Sequence, residues 1–367
     1  MLRTATSPRE ALLSALRRES GRSVPFDIAL CPAQRTLFTA EFGTDDYAEV
    51  WGVPHRRLAA PFEQRAVDFG PWHEALPDGT RVDAWGIGHA PSRDGSHFTR
   101  LVHPLRAARR VEDIASYPMP SAMGPAATAE LGERVRALHE RGLAAVVSVA
   151  PVGGTVFWPA YKLRGMENLL CDLHLAPDLA RCLLDRVTRL TTVQAERAAS
   201  TGADILHLAD DLGTQHSTYV SPEMFRSWIK PRLATVIRAA KHAKPDILVH
   251  FHSDGAVFPF IPDFIEIGVD VLNPIQPECM DPLRVKHEYG DRLSLSGCIG
   301  TQTTMPYGSP SDVRDAVRMA CDRLGRDGGL WLAPTHLVEP EVPWDNVLAF
   351  VETAREYAVA TTVRRTT

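Results

Sequence analysis

Four short apolar runs between positions 248 and 336 each end at once in polar residues, and they recur at the spacing of one helix plus one strand. They read LVHFHSDG (248–255), VDVLNPIQPE (269–278), LSLSGCIGTQ (293–302) and GGLWLAPTH (328–336). Few folds tolerate this pattern. A strand covered on both faces must be apolar along its length, and its parallel neighbour is reached only through a crossover helix. When such strands close into a barrel, the polar residues at their C-terminal ends converge on one face. The pattern points to an enzyme.

The rhythm extends upstream. AATAELGERVRALHERG precedes AAVVSVA (144–150), PDLARCLLDRVTRLTTVQAERAAS precedes DILHLAD (204–210), and SPEMFRSWIKPRLATVIRAAKHA leads to DILVHFH (246–252). Pro231 lies inside the last of these helices and predicts a kink or break, because proline has no N–H to donate and clashes with the preceding turn. Ser7-Pro8-Arg9-Glu10 is a capping-box start for ALLSALRR. Residues 24–29 read as a first strand, and VPWDNVLAFVETAREYAVA as a closing amphipathic helix before a frayed TTVRRTT tail. Seven or eight strands, most followed by helices, predict one (β/α)8 TIM-type barrel domain over residues 1–367. A doubly wound open sheet is the rival, but no G-x-G-x-x-G follows a first strand and no G-x-x-x-x-G-K-[ST] occurs. Residues 31–120 do not keep the rhythm. Alternation in TRVDAWGIG suggests a hairpin-like excursion, and long irregular insertions of this kind usually carry substrate loops.

Composition excludes several classes. A net charge of −5 gives no footprint for nucleic acid or an anionic membrane. No apolar run approaches the roughly 18 residues of a membrane span, and the arginines among the first twenty positions interrupt any signal-peptide core. The six cysteines form no C-x-x-C pair and no disulfide framework is expected. These features together predict a cytoplasmic protein.

The strand ends supply the candidate site: Asp210 and Asp211, His252 and Asp254, Asn273 and Gln276, Cys298 and Gln302, and His336. His252, Asp254 and His336 offer imidazole and carboxylate donors, the ordinary ligands of a divalent metal such as zinc, with a fourth position left for substrate. The alternative is a pair of histidines hydrogen-bonded in the barrel mouth without metal. Asp210 and Asp211 could supply a general acid or base, but neighbours on a strand face opposite sides, so one of them faces the pocket; the alternative for Asp211 is that it caps the next turn or pairs with an arginine. His250 shares the side of His252, as a supporting group or a core histidine. Cys298, between Gly297 and Gly300, is either a soft ligand or packing. Gln276 and Gln302 can each donate to and accept from a polar substrate.

DDLGTQHSTYVSPEMFRSWIKPRL, FHSDG…IPDFIEIGVDVLNPIQ, LSGCIGTQTTMPYGSPSDV and GGLWLAPTH…VPWDNV resemble the uroporphyrinogen decarboxylase superfamily over residues 145–358. That superfamily also holds zinc-dependent methyltransferases that move methyl groups from corrinoid proteins to thiols. The resemblance implies a (β/α)8 barrel. Porphyrinogen decarboxylases carry an arginine-rich R-Q-A-G-R type motif near the N-terminus; here ALCPAQRTLFTAEFG offers only Arg35, too few cations for a substrate of many carboxylates. Tyr161 in WPAYKLRG and His336 fall where that subfamily has a pocket tyrosine and histidine. In the methyltransferases zinc is held by H-x-C and a later cysteine. The resemblance maps these onto His252, Asp254 and His336, a harder donor set that admits zinc, manganese or iron and an oxygen as well as a sulfur acceptor.

Three readings follow. The first is a methyl-transfer or demethylation enzyme, with a metal on His252, Asp254 and His336, Asp210 as a further catalytic group, and Tyr161, Asp211, Asn273, Gln276, Cys298 and Gln302 around a small-molecule substrate. It implies a corrinoid methyl donor and a corrinoid-protein partner; the family also suggests a homodimer. The second is a cofactor-free decarboxylase of an aromatic or pyrrolic acid using Asp254 or Asp210 with His336. The third is a non-catalytic binding barrel, which the cost of burying unneeded polar groups disfavours.

Overall fold

The computed structural model describes residues 6–19, 23–63, 66–92 and 99–359. The TTVRRTT tail lies outside them. Seven parallel strands form one sheet in chain order: His55–Ala59, Ala144–Ser148, Ile205–Ala209, Leu248–His252, Val271–Ile275, Ser294–Ile299 and Leu330–Pro334. Residues 24–30 add the eighth stave. Phe26 pairs in parallel with Leu332 and Leu30 with Val338, and the Asp27 N–H donates to the Leu332 carbonyl at 2.8 Å. On the other side of this stave Asp27 accepts from Arg57 at 2.8 Å and faces His55 Nε2 at 3.5 Å. The fold is a (β/α)8 TIM-type barrel.

Side-chain alternation sorts the interior into layers. Ala144, Val146, Ile205, Leu248, Val271 and Trp331 form an apolar floor with Leu12, Leu13 and Leu16 of the capping-box helix Pro8–Leu16, which plugs the bottom. The next layer is polar: His55 and His250 set their rings edge-on to Trp331, and His207 Nδ1 meets His250 Nδ1 at 2.9 Å. Burial holds both His207 and His250 well below the usual imidazole range. The larger apolar core lies outside the strands, where Leu183, Leu184 and Val187 of Pro177–Ser200 and Val313 and Val317 of Pro310–Leu324 are buried. Each such side chain stabilises the fold by roughly 1.5–3 kcal/mol.

Pro231 bends its helix without ending it. The segment Phe225–Ile229 is a π-turn in which the Lys230 N–H reaches the Phe225 carbonyl, and the α-helix Lys230–Ala243 continues from there. A proline cannot donate to the carbonyl four residues back, and the wider turn absorbs that loss.

The stretch 31–120 departs from expectation in one respect. Its hairpin is present as a three-stranded antiparallel sheet, Arg81–Val82, Gly88–Pro91 and Thr99–Val102. It also contributes the barrel strand His55–Ala59, which the sequence conceals. HRRLA shows no apolar run because its inward residues, His55 and Arg57, are satisfied by Asp27 instead of by a greasy interior.

Candidate active site

Above the histidine layer, two neighbouring strand ends converge. Asp211 follows Ile205–Ala209, His252 ends Leu248–His252, and Asp254 lies two residues beyond it. One ligand atom from each of Asp211, His252 and Asp254 lies within 4.8 Å of the others. His252 Nε2 is 3.6 Å from both Asp211 Oδ1 and Asp254 Oδ2. Its other nitrogen, Nδ1, donates to Asn273 Oδ1 at 2.7 Å, and Asn273 Nδ2 donates in turn to Ser296 Oγ at 3.0 Å. This relay fixes the ring and leaves Nε2 aimed at the carboxylates, the arrangement that orients metal-binding histidines.

The loops that carry these groups cross with almost no clearance. The Asp254 N–H donates to Asp211 Oδ1 at 3.1 Å, and the Ala256 N–H to the Thr214 carbonyl at 2.8 Å. A Cβ on Gly255, whose φ is +88°, would lie 2.5 Å from the Thr214 oxygen. Only glycine fits there.

Charges within the cluster are strongly coupled. Burial alone would depress His252, but the hydrogen bond and charge of Asp254, with Asp211, lift it to about 9. Burial raises Asp211, and the charge of Asp254 adds to the rise. Burial would raise Asp254 too, yet His252 and His336 hold it below the usual carboxylate range.

His336 stands at the edge. Its Nε2 is 4.0 Å from Asp254 Oδ2 and its side chain is 53% exposed. The cluster around His252 and Asp254 is therefore completed by Asp211, and the histidine mapped as third ligand faces the open mouth beside it. That mouth is lined by Tyr219, Asp254, Gln276, Gln302, Thr335 and His336. Gln276 is buried and accepts from the Gly255 N–H at 3.4 Å. Gln302 is exposed and pairs with Gln215 through bonds of 2.7 and 3.2 Å.

Asp210 takes the other side of its strand. It is fully buried and accepts the backbone N–H groups of Thr155, Val156 and Trp158 at 3.2, 2.9 and 2.7 Å. The helix Phe157–Arg164 has no side-chain cap of its own, and Asp210 supplies one from a distant strand. Burial pushes the carboxyl up to about 7 against the pull of those N–H groups. Asp210 thus holds the helix that carries Tyr161, and its oxygens are occupied. A Cβ on Gly154 would come within 2.8 Å of Asp210 Oδ1, so the turn must stay bare.

Tyr161 stacks edge-on against Trp158 at 4.8 Å and near His103 at 5.7 Å, half-buried beside the mouth. Cys298 lies elsewhere. Left-handed backbone at Gly297 (φ 93°) and Cys298 (φ 77°) breaks the alternation that would aim the thiol into the barrel. The side chain is buried in the outer apolar core beside Cys321, and burial pushes the thiol far above its usual range. Sequence reading also passed over His207, although it stands two positions before the strand end in DILHLAD as His250 does in LVHFH.

The family is decided by comparison with known proteins. The sequence profile of the uroporphyrinogen decarboxylase (URO-D) family matches residues 95–357. The chain belongs to the URO-D family. A methylated-thiol–coenzyme M methyltransferase of Methanosarcina mazei is 23% identical over 218 residues, 58% of this chain and 54% of the relative. A uroporphyrinogen decarboxylase of Nostoc punctiforme is 23% identical over 315 residues, covering 79% of this chain and 81% of its own length. The chain thus spans about half the length of the methyltransferase relative. A solved methyltransferase structure from Methanosarcina mazei superposes with a TM-score of 0.63 at 18% identity, covering 96% of this chain and 99% of the other. That likeness concerns the barrel. This URO-D family member has enzymes of both kinds among its relatives. No described helix is long and apolar enough to cross a membrane.

Proposed function

We propose that this URO-D family protein transfers or removes a methyl group on a small organic substrate, at a metal site formed by Asp211, His252 and Asp254. The observation that carries the reading is the convergence of those three donors, with His252 held by Asn273 so that Nε2 points at both carboxylates. The donor set suits a hard or borderline divalent ion such as zinc, manganese or iron. When bound, such an ion would lower the pKa of a thiol or hydroxyl acceptor and so favour its nucleophilic form.

The chain's own residues do the rest. Asp254, ionised beside His252, would hold the ion together with Asp211. His336, on the open side of Asp254, is placed to hold the acceptor or to take its proton and pass it to solvent. Gln276 and Thr335 line the same mouth and supply polar contacts that orient it. The methyl donor implied by the superfamily resemblance is a corrinoid, delivered by a partner protein.

The test is incubation of metal-loaded protein with methylcobalamin and a panel of thiols, phenols and folates. Release of cob(I)alamin with at least one acceptor, lost in Asp254→Ala, is the expected result. Failure with every acceptor would contradict the reading.

A second reading rests on a different feature of the same residues. His252 protonated between two carboxylates is an acid–base pair that needs no metal, suited to protonating a ring carbon as CO₂ leaves. It predicts CO₂ loss from aromatic or pyrrolic acids with neither metal nor corrinoid added.

A further inference from the structure

Two hydrogen-bond donors stand over one bare glycine, on the helix that Asp210 caps. Helix Phe157–Arg164, which carries Tyr161, also presents Trp158 and Lys162. Both are half-buried. A Cβ built on the exposed Gly153 would lie 3.4 Å from Lys162 Nζ and 3.7 Å from Trp158 Nε1, so the two donors flank the bare backbone of that glycine. The turn that holds Gly153 there is unusual. Val152, β-branched, has φ 46° and ψ 31°, a left-handed conformation that such residues rarely adopt.

Among the described residues, neither Lys162 Nζ nor Trp158 Nε1 has a hydrogen-bond or ion-pair partner. The nearby carboxylates do not supply one. Asp83 and Asp211 act on Lys162 only at a distance. Asp83 is already engaged by the backbone N–H groups of Trp85 and Ile87 and by His89 Nε2 at 2.9 Å, while Asp211 faces His252. The ring of Tyr161 packs against Trp158. The Trp158 backbone N–H donates to Asp210, the neighbour of Asp211, at 2.7 Å, which sets this turn of helix beside the strand end that carries Asp211 of the cluster.

We propose that Lys162 Nζ and Trp158 Nε1 bind an oxyanion group of the substrate, a carboxylate or a phosphate, and so make the substrate a small organic acid whose reacting end lies over the His252 cluster. The substrate assignment rests on the catalytic reading above; the anion site itself does not. Lys162 supplies charge and the indole N–H a fixed direction, which together select an acidic tail over a neutral one. Asp210, by pinning the N-terminus of this helix, sets where both donors stand.

The test uses the full chain labelled with ¹⁵N in tryptophan, titrated with sodium acetate or inorganic phosphate against chloride at constant ionic strength. The Trp158 indole signal is assigned with Trp158→Phe, and the other indole signals report that the fold is intact. A saturable shift of the Trp158 signal is expected, and the tighter of the two anions distinguishes a carboxylate tail from a phosphate. Lys162→Met should weaken that anion about tenfold or more, as loss of a charged hydrogen bond does, while Lys162→Arg retains binding within about threefold. Asp254→Asn should leave binding intact even if methyl transfer is never observed, which separates this site from the catalytic reading. No saturable shift with either anion, equal affinity in Lys162→Met, or loss of binding in Asp254→Asn would each overturn the assignment.

Discussion

Replacing Asp210 by asparagine tests how the barrel tolerates a buried carboxyl. The native group sits at about 7 because burial outweighs the N–H groups of residues 155–158, whereas in an unfolded chain it is near 3.9. A raised acid pKa means that the folded protein holds a proton that the unfolded chain has lost. Its contribution is fully present below pH ~4 and is lost as pH rises through ~7, at about 1.4 kcal/mol per unit. Between pH 5 and pH 8 the wild type should therefore lose about 2.7 kcal/mol through this one residue. The substituted amide carries no such proton. It also turns an NH₂ toward backbone donors, which costs roughly 1–3 kcal/mol at any pH. Urea unfolding of both proteins at pH 5 and pH 8 compares the two terms, since other titrating groups cancel in the difference. The Asp210→Asn penalty should be smaller at pH 8 than at pH 5 by about 2.7 kcal/mol. An equal penalty at both pH values would show that Asp210 is ionised throughout and that the four-residue N–H cluster prevails over burial.

Two other substitutions separate structure from site. Asp204 lies nearly fully buried, bound by Arg9 at 2.7 Å, His139 at 2.9 Å and the Ala145 N–H at 2.9 Å. Asp204→Ala should destabilise by about 3–5 kcal/mol in urea melts, the cost of breaking a buried pair, and leave metal content unchanged in the folded fraction. At the mouth, Asp211→Asn should lower bound metal substantially while His336→Ala retains it and lowers only turnover, as elemental analysis and the methyl-transfer assay can check. The opposite pattern would restore His336 as a ligand.

Much of the barrel was legible because its strands are apolar where they face helices on one side and the floor on the other. AAVVS and LWLAP announce themselves in that way. HRRLA could not, because its inward side chains are matched by Asp27 across the closing seam, a pairing that only the fold creates. The convergence of His252 and Asp254 could be read from H-x-D at a strand end. Which of Asp210 and Asp211 faces the pocket could not, since alternation says only that they differ. The answer depends on an uncapped helix from another part of the chain. Cys298 takes the packing role of its two readings for a local reason: two consecutive left-handed residues turn its thiol outward, and a cysteine in that conformation leaves no mark in the sequence. Lys162 is silent for a related reason, since one lysine on a helix ordinarily reads as a solvated charge.

The central claim is that Asp211, His252 and Asp254 hold a divalent metal. Its most direct test is the metal content of protein purified without chelators, measured beside His252→Ala. Near-stoichiometric metal in the wild type, lost in the variant, is the predicted result and names the ion. No metal in either protein, even after reconstitution at neutral pH or above where His252 releases its proton most readily, would contradict the claim and favour the metal-free acid–base reading.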